Sequence, residues 1–132
     1  MIEEHEIIRS EGNRLTIVLM NVNEAGSLRY QLLVKVEKGL FCGSEAFYLE
    51  RDYLLSLLNK VRGMYETLTG QCEIKDQFEE PFIVFTVGKY GHLSVSGQFG
   101  EKNNGTYLIF YLTSDQTVLP LLISALQSII SY

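Results

Sequence analysis

The side chains best placed to do chemistry are few, and most lie in the second half of the chain. His92, Ser94 and Ser96 alternate along one segment and so share one side of an extended strand. An imidazole beside hydroxyls is the start of a nucleophilic site. Such a site also needs a group to orient the imidazole and donors for an oxyanion, and the sequence marks neither. His92 is therefore expected to be structural or solvent-facing, and His5 and His92 alone make no ligand set. Asp115 is the most suggestive carboxylate, since it sits where an apolar strand gives way to an apolar helix. A helix start also has amide donors without partners, and Asp, Ser and Thr are the residues that satisfy them. Asp115 is read as a structural cap, with Ser114 and Thr117 as competitors. There is no G-x-S-x-G, no phosphate-cradling glycine loop, no H-E-x-x-H and no metal-spaced Cys/His set. The expectation is a chain without catalytic, cofactor-binding or metal-binding residues, and so not an enzyme.

Other residues suit a partner better than a substrate. Asp76, Glu79 and Glu80 form one acidic cluster, and Glu3, Glu4, Glu6 and Glu11 another. Solvated charge is the ordinary reading. The sharper one is an acidic face for a basic partner, because opposite charge speeds and orients encounter. Tyr107 and Tyr111 share one side of the last strand with Ile109, opposite Leu108, Phe110 and Leu112. Two apolar sides predict an interior strand covered above and below. The alternative is that the tyrosine side is a partly open binding surface, since tyrosine is enriched at interfaces.

Composition narrows the classes. The 132 residues fit one domain over 1–132, long enough to bury a core without staples. The hydrophobic share of 46% and net charge of −5 argue against disorder. The 11 Lys and Arg are scattered singly, with none of the basic patch that nucleic-acid binding requires. Cys42 and Cys72 form neither a disulfide framework nor a C-x-x-C, so reduced, buried thiols are expected. The acidic start Met1–Glu6 does not read as a signal peptide. The most apolar run, Val118–Ile130, falls short of the about 20 residues of a membrane span. These features predict a cytoplasmic protein that engages neither membrane nor nucleic acid.

The elements that must position these residues follow from periodicity. Ile7 and Ile8 fall in a short opening strand, and Arg14–Asn21 and Leu28–Lys38 alternate as half-buried strands. Asn23–Ser27 reads as a loop. Leu40–Cys42 begins a fourth strand, with a bulge at Gly43-Ser44, and Phe47 and Leu49 resume its apolar face. Tyr53, Leu54, Leu57, Leu58, Val61, Met64, Tyr65 and Leu68 make one helical stripe that Gly70 should end. Cys72–Ile74, Phe82–Val87, His92–Phe99 and Thr106–Leu112 are strands, the last two joined through a hairpin at Lys102-Asn103-Asn104-Gly105, where Asn-Gly fits positive φ. The final helix carries one apolar stripe from Leu119 to Ile130 and a second through Leu121, Ala125 and Tyr132. That second stripe must meet the first helix or a partner, which makes a homodimer through this helix one candidate. Four strands, a helix, four strands and a helix predict α+β: a bent antiparallel sheet of about eight strands, or two sheets, with both helices packed on one face.

Three short motifs carry a resemblance. Gly91-His92-Leu93-Ser94-Val95, then Leu108-Ile109-Phe110-Tyr111, then Thr113-Ser114-Asp115-Gln116-Thr117-Val118-Leu119 resemble a pattern in small bacterial proteins grouped near the WapI-type immunity proteins. The likeness covers mainly residues 39–130, including Gly39-Leu40-Phe41. It implies an antitoxin of a bacterial competition system that binds and blocks one cognate toxin, basic if the toxin is a nuclease. It carries over no catalytic residue. The competing readings are a small-ligand-binding domain, with His92, Ser94 and Ser96 in a pocket, and a structural homo-oligomer.

Overall fold

The computed structural model describes the backbone of residues 2–20, 29–75 and 79–131, and the side chains within them except at positions 2, 3, 19, 20 and 29. The expected loop Asn23–Ser27, together with Asp76 and Tyr132, lies outside the described residues. In chain order, strands β1 (Ile2–Ser10), β2 (Asn13–Met20), β3 (Arg29–Lys38) and β4 (Phe41–Glu50) precede helix α1 (Arg51–Thr67). Strands β5 (Gly70–Ile74), β6 (Phe82–Val87), β7 (His92–Glu101) and β8 (Thr106–Asp115) precede helix α2 (Val118–Ile130). Each set of four strands is an antiparallel meander in sequential order, so two sheets are formed and the fold is α+β. Each half of the chain is thus a meander followed by a helix.

Period-2 alternation puts one row of each strand into a common core. Leu15, Ile17, Leu32, Val34 and Phe47 enter from the first sheet, and Ile83, Phe85, Val95, Phe99 and Phe110 from the second. Helix α1 adds Leu54, Leu57, Leu58, Val61 and Met64, and α2 adds Leu119, Leu122, Ala125, Leu126 and Ile129. The helices pack on each other, α1 also against β4 and β5, and α2 against β1. Of the second stripe of α2, Ala125 is fully buried while Leu121 stays exposed.

Side chains tie the halves together. The Gly100 amide donates to the Glu45 carboxylate at 2.9 Å, from the second sheet to the first. Lys38 reaches the other way, its Nζ donating to the Tyr111 carbonyl at 2.6 Å. Arg51, the first residue of α1, donates to the Ile130 carbonyl at 2.7 Å and to the Tyr30 hydroxyl at 3.2 Å. Its guanidinium thereby satisfies a free carbonyl at the negative end of α2. The Tyr53 hydroxyl donates to the Glu73 carbonyl at 2.7 Å, holding α1 to β5.

Several local expectations are corrected. Strand β4 runs through Gly43-Ser44 without a register shift, and the irregularity falls between Glu6 and Ile8 of β1. Leu68, not Gly70, takes the left-handed position that ends α1, at φ 53°, and Gly70 opens β5. The hairpin expected at Lys102-Asn103-Asn104-Gly105 does form, as a 3-10 turn at Lys102–Asn104 followed by Gly105 at φ 75°. Strand β8 extends to Asp115 and lies at the edge of its sheet, not inside it.

Gly97 and Gly43 make contrasting demands on the core. A Cβ at Gly97 would lie 2.6 Å from the Phe82 carbonyl oxygen and 2.7 Å from Phe110 Cζ, whereas at Gly43 its nearest neighbour is the Leu108 Cδ2 methyl. Backbone cannot yield as a leucine methyl can. Gly97→Ala should cost about 1–3 kcal/mol in urea unfolding, and Gly43→Ala clearly less. Equal losses would show that the sheets do not close over these two positions as described.

Candidate partner-binding surface

Two of the segments that carried the resemblance, Gly91–Val95 and Thr113–Leu119, meet at one corner. Gly91 sits at φ 73°, and a Cβ there would lie 1.7 Å from the Gln116 side-chain oxygen, so glycine makes room for that amide. His92 pairs with Asp115 across β7 and β8. The Asp115 carboxylate accepts the Thr117 amide at 2.9 Å and also the Thr117 hydroxyl. Thr117 occupies the N-cap position of α2 and makes no side-chain cap bond of its own. Asp115 therefore holds the approach to the helix rather than an amide inside its first turn. The Thr117 hydroxyl bond, then the Thr117 amide and the nearby His92, hold its carboxyl below the ordinary carboxylate value.

His92, Ser94 and Ser96 lie on the outer side of β7, opposite Asp115, Thr113 and Tyr111. Tertiary structure thus brings a carboxylate near the imidazole, which the sequence did not mark. Among the described residues no hydrogen bond joins the His92 ring to these groups. Glu79 is exposed, while Glu80 is half-buried and its carboxylate accepts the Lys102 amide at 3.2 Å. That bond gives Glu80 a structural task beside the β7–β8 turn, and the acidic cluster is not gathered on one free face among the described residues.

The tyrosine row has a different setting. Tyr107, Ile109 and Tyr111 stand on the outer side of β8, exposed by 48%, 62% and 53%. The expectation that both sides of this strand are covered is corrected: Phe110 and Leu112 are buried, and the odd-numbered row faces solvent. An edge strand has one neighbour, and among the described residues the outer side of the sheet has no layer over it. Beside β8 lies the tip of the β3–β4 hairpin, where Leu40 is fully exposed and Phe41 exposes 73% of its surface. Val36, Lys38 and Phe41 from the hairpin and residues 108–111 of β8 line a cleft of about 260 Å³. Lys38 Nζ stands at its border, 5.9 Å from the centre of the Tyr111 ring. Sequence reasoning read Lys38-Gly39 as a bend and Leu40 as the start of a strand. The signal available was two large apolar residues directly after a Lys-Gly turn, where a hairpin tip is normally polar.

Another cleft, of about 200 Å³, lies between α1 and β5 and is lined by Tyr53, Ser56, Leu57, Lys60, Cys72 and Glu73. Burial pushes the Cys72 thiol up to about 12, so it is protonated at neutral pH and is no nucleophile. Burial also raises the Tyr53 hydroxyl, which is already bonded to the Glu73 carbonyl. Cys42 departs from the sequence expectation and is exposed on β4.

The molecule is thus an α+β protein of two meander-and-helix halves that presents an apolar, tyrosine-bearing edge to its surroundings. It belongs to the immunity protein WapI-like family, whose model matches residues 6–132, and the likeness extends well beyond residues 39–130. Immunity proteins are in general binding proteins rather than enzymes, and the family implies a protein toxin as partner. No curated protein matches the chain. Among solved structures, crystal structures of trypanosoma bruciei MRP1/MRP2 are similar at a TM-score of 0.57 and 10% identity, covering 99% of this chain and 84% of that one. At that identity the likeness is one of fold alone.

Two measurements check this surface and its surroundings. Asp115 has a lowered carboxyl, so its stabilising effect is present above the unfolded carboxylate value, near 4, and is lost as pH falls through the folded value. The stability difference between wild type and Asp115→Asn should be constant from pH 7 to about 5 and shrink below about 4. A difference unchanged down to pH 2 would contradict the Thr117 bonds. In the native protein at pH 8, iodoacetamide should label Cys42 and spare Cys72 until the chain is unfolded.

Proposed function

We propose that this protein binds a toxin of a bacterial competition system and neutralises it by occupying its surface, with no enzymatic step. The observation that supports this most is the row Tyr107, Ile109 and Tyr111, exposed at a sheet edge and continuous with Phe41 across a shared cleft. Large apolar and aromatic side chains gathered at one edge have a desolvation gain to make only when something covers them. Membership of the immunity family supplies the kind of partner. The net charge of −5 suits a basic toxin, which it would attract over long range, and Glu79 adds an exposed carboxylate to that field. The cytoplasm is where such an inhibitor would meet a toxin entering the cell. A homodimer through α2 has less to work with, since Leu121 is the large hydrophobic residue that α2 leaves exposed among the described residues.

Co-expression with the toxin encoded by the adjacent gene should restore growth. The double variant Tyr107→Ala, Tyr111→Ala should lose that protection and bind about 30-fold more weakly or worse, with the melting temperature little changed. Glu79→Gln should weaken binding by no more than about threefold, mainly through the on-rate. Failure to protect against every neighbouring toxin would defeat the proposal.

A further inference from the structure

Resting on the reading above, we infer that the free edge of β8 takes an extended segment of the toxin as an added strand, with one apolar side chain of that segment in the Phe41 cleft and a carboxylate on Lys38. The orientation of the backbone comes first. The His92 carbonyl accepts the Gly88 amide at 2.9 Å, and Gly88 follows β6, so the even-numbered main-chain groups of β7 face β6. The odd-numbered groups then face β8, and Val95, Gly97 and Phe99 exchange bonds with Leu112, Phe110 and Leu108. Alternation leaves the amides and carbonyls of Tyr107, Ile109, Tyr111 and Thr113 directed away from the sheet. Lys38 agrees with this, because it bonds the Tyr111 carbonyl from outside the sheet.

A ten-residue edge strand with outward-facing amides is a template for pairing, and proteins usually blunt such edges with charge, proline or a bulge. Among the described residues Lys38, at the Tyr111 carbonyl, is the blunting device, and the side chains along the edge are Tyr, Ile, Tyr and Thr. Strand addition uses this arrangement: main-chain bonds hold the segment, and alternate side chains fill pockets. The cleft of about 260 Å³ accepts a leucine- or phenylalanine-sized side chain. Its charge specifies the neighbouring position. Lys38 has a carbonyl and a tyrosine ring for company, and among the described residues no carboxylate lies within ion-pair distance. An acidic residue on the incoming strand complements it, while the overall negative charge still attracts a toxin that is basic elsewhere.

The test uses the full chain and the toxin domain encoded by the adjacent gene. Wild-type binding establishes the partner. If no neighbouring toxin binds, the functional reading and this inference fall together. With binding established, amide exchange should slow at Ile109, Tyr111 and Thr113, while amides on β1 stay unchanged. Ile109→Pro removes an outward amide and no bond to β7, so it should fold and yet bind about tenfold more weakly than Ile109→Ala. Thr113→Pro should weaken binding similarly, and Lys38→Glu more than Lys38→Gln. Unchanged exchange along β8, or equal affinity of the alanine and proline variants, would overturn strand addition and leave toxin binding standing. A wild-type chain that sediments as a dimer, and as a monomer with Thr113→Pro, would give the edge to a second copy and overturn it also.

Discussion

Phe47, Phe99 and Phe110 form a run of edge-to-face rings that crosses from the first sheet into the second. The centroids of Phe47 and Phe99 are 6.3 Å apart, and those of Phe99 and Phe110 are 4.8 Å apart. These contacts combine a large buried area with a preferred geometry, and they govern the direction of every side chain around them. Phe110 lies over Gly97, the cross-strand position where a side chain would strike backbone. Once Phe110 points inward, a strand has no choice about its neighbours: Ile109 and Tyr111 must point outward. The exposed row is thus a consequence of the core.

The same packing explains why the surface lies where it does. Glu45 and Lys38 both belong to the β3–β4 hairpin, and both bond main-chain groups of the second sheet. They hold the hairpin tip beside β8 and leave a gap between them that Phe41 and Ile109 share. Neither half of the chain contains the surface. It exists because the β3–β4 hairpin of one meander is held beside β8 of the other. Aromatic and aliphatic groups at such a place fit the binding role of an immunity protein better than the scattered carboxylates, one of which, Glu80, is occupied in holding a turn.

Much of this was legible in the chain. The order of elements, the α1 stripe and the inward rows of β3 and β7 follow from period alone. Two of the three motifs that carried the resemblance meet at one corner, where Gly91 gives way to Gln116 and Asp115 holds Thr117, while Leu108–Tyr111 lies farther along β8. Other features were out of reach for physical reasons. A bulge leaves its trace in pairing, not in residue type, so Gly43-Ser44 misled and Glu6–Ile8 gave no sign. Leu68 in a left-handed conformation contradicts propensity, because tertiary contacts decide where a helix stops. The exposure of Cys42 likewise depends on which side of β4 is covered.

Residue order by itself determined which atoms travel together: an inward row and an outward row on each strand, an uncharged terminal helix, and a chain long enough to enclose one core. Local alternation and helical period are properties of neighbours in sequence, so they can be read without coordinates. Whether Thr106–Asp115 would be a central strand or an edge was decided by tertiary structure alone. That depends on how many strands dock beside it, and both answers are compatible with the same alternating sequence. The tyrosine row became a surface, and not a second core, because among the described residues no layer folds over it.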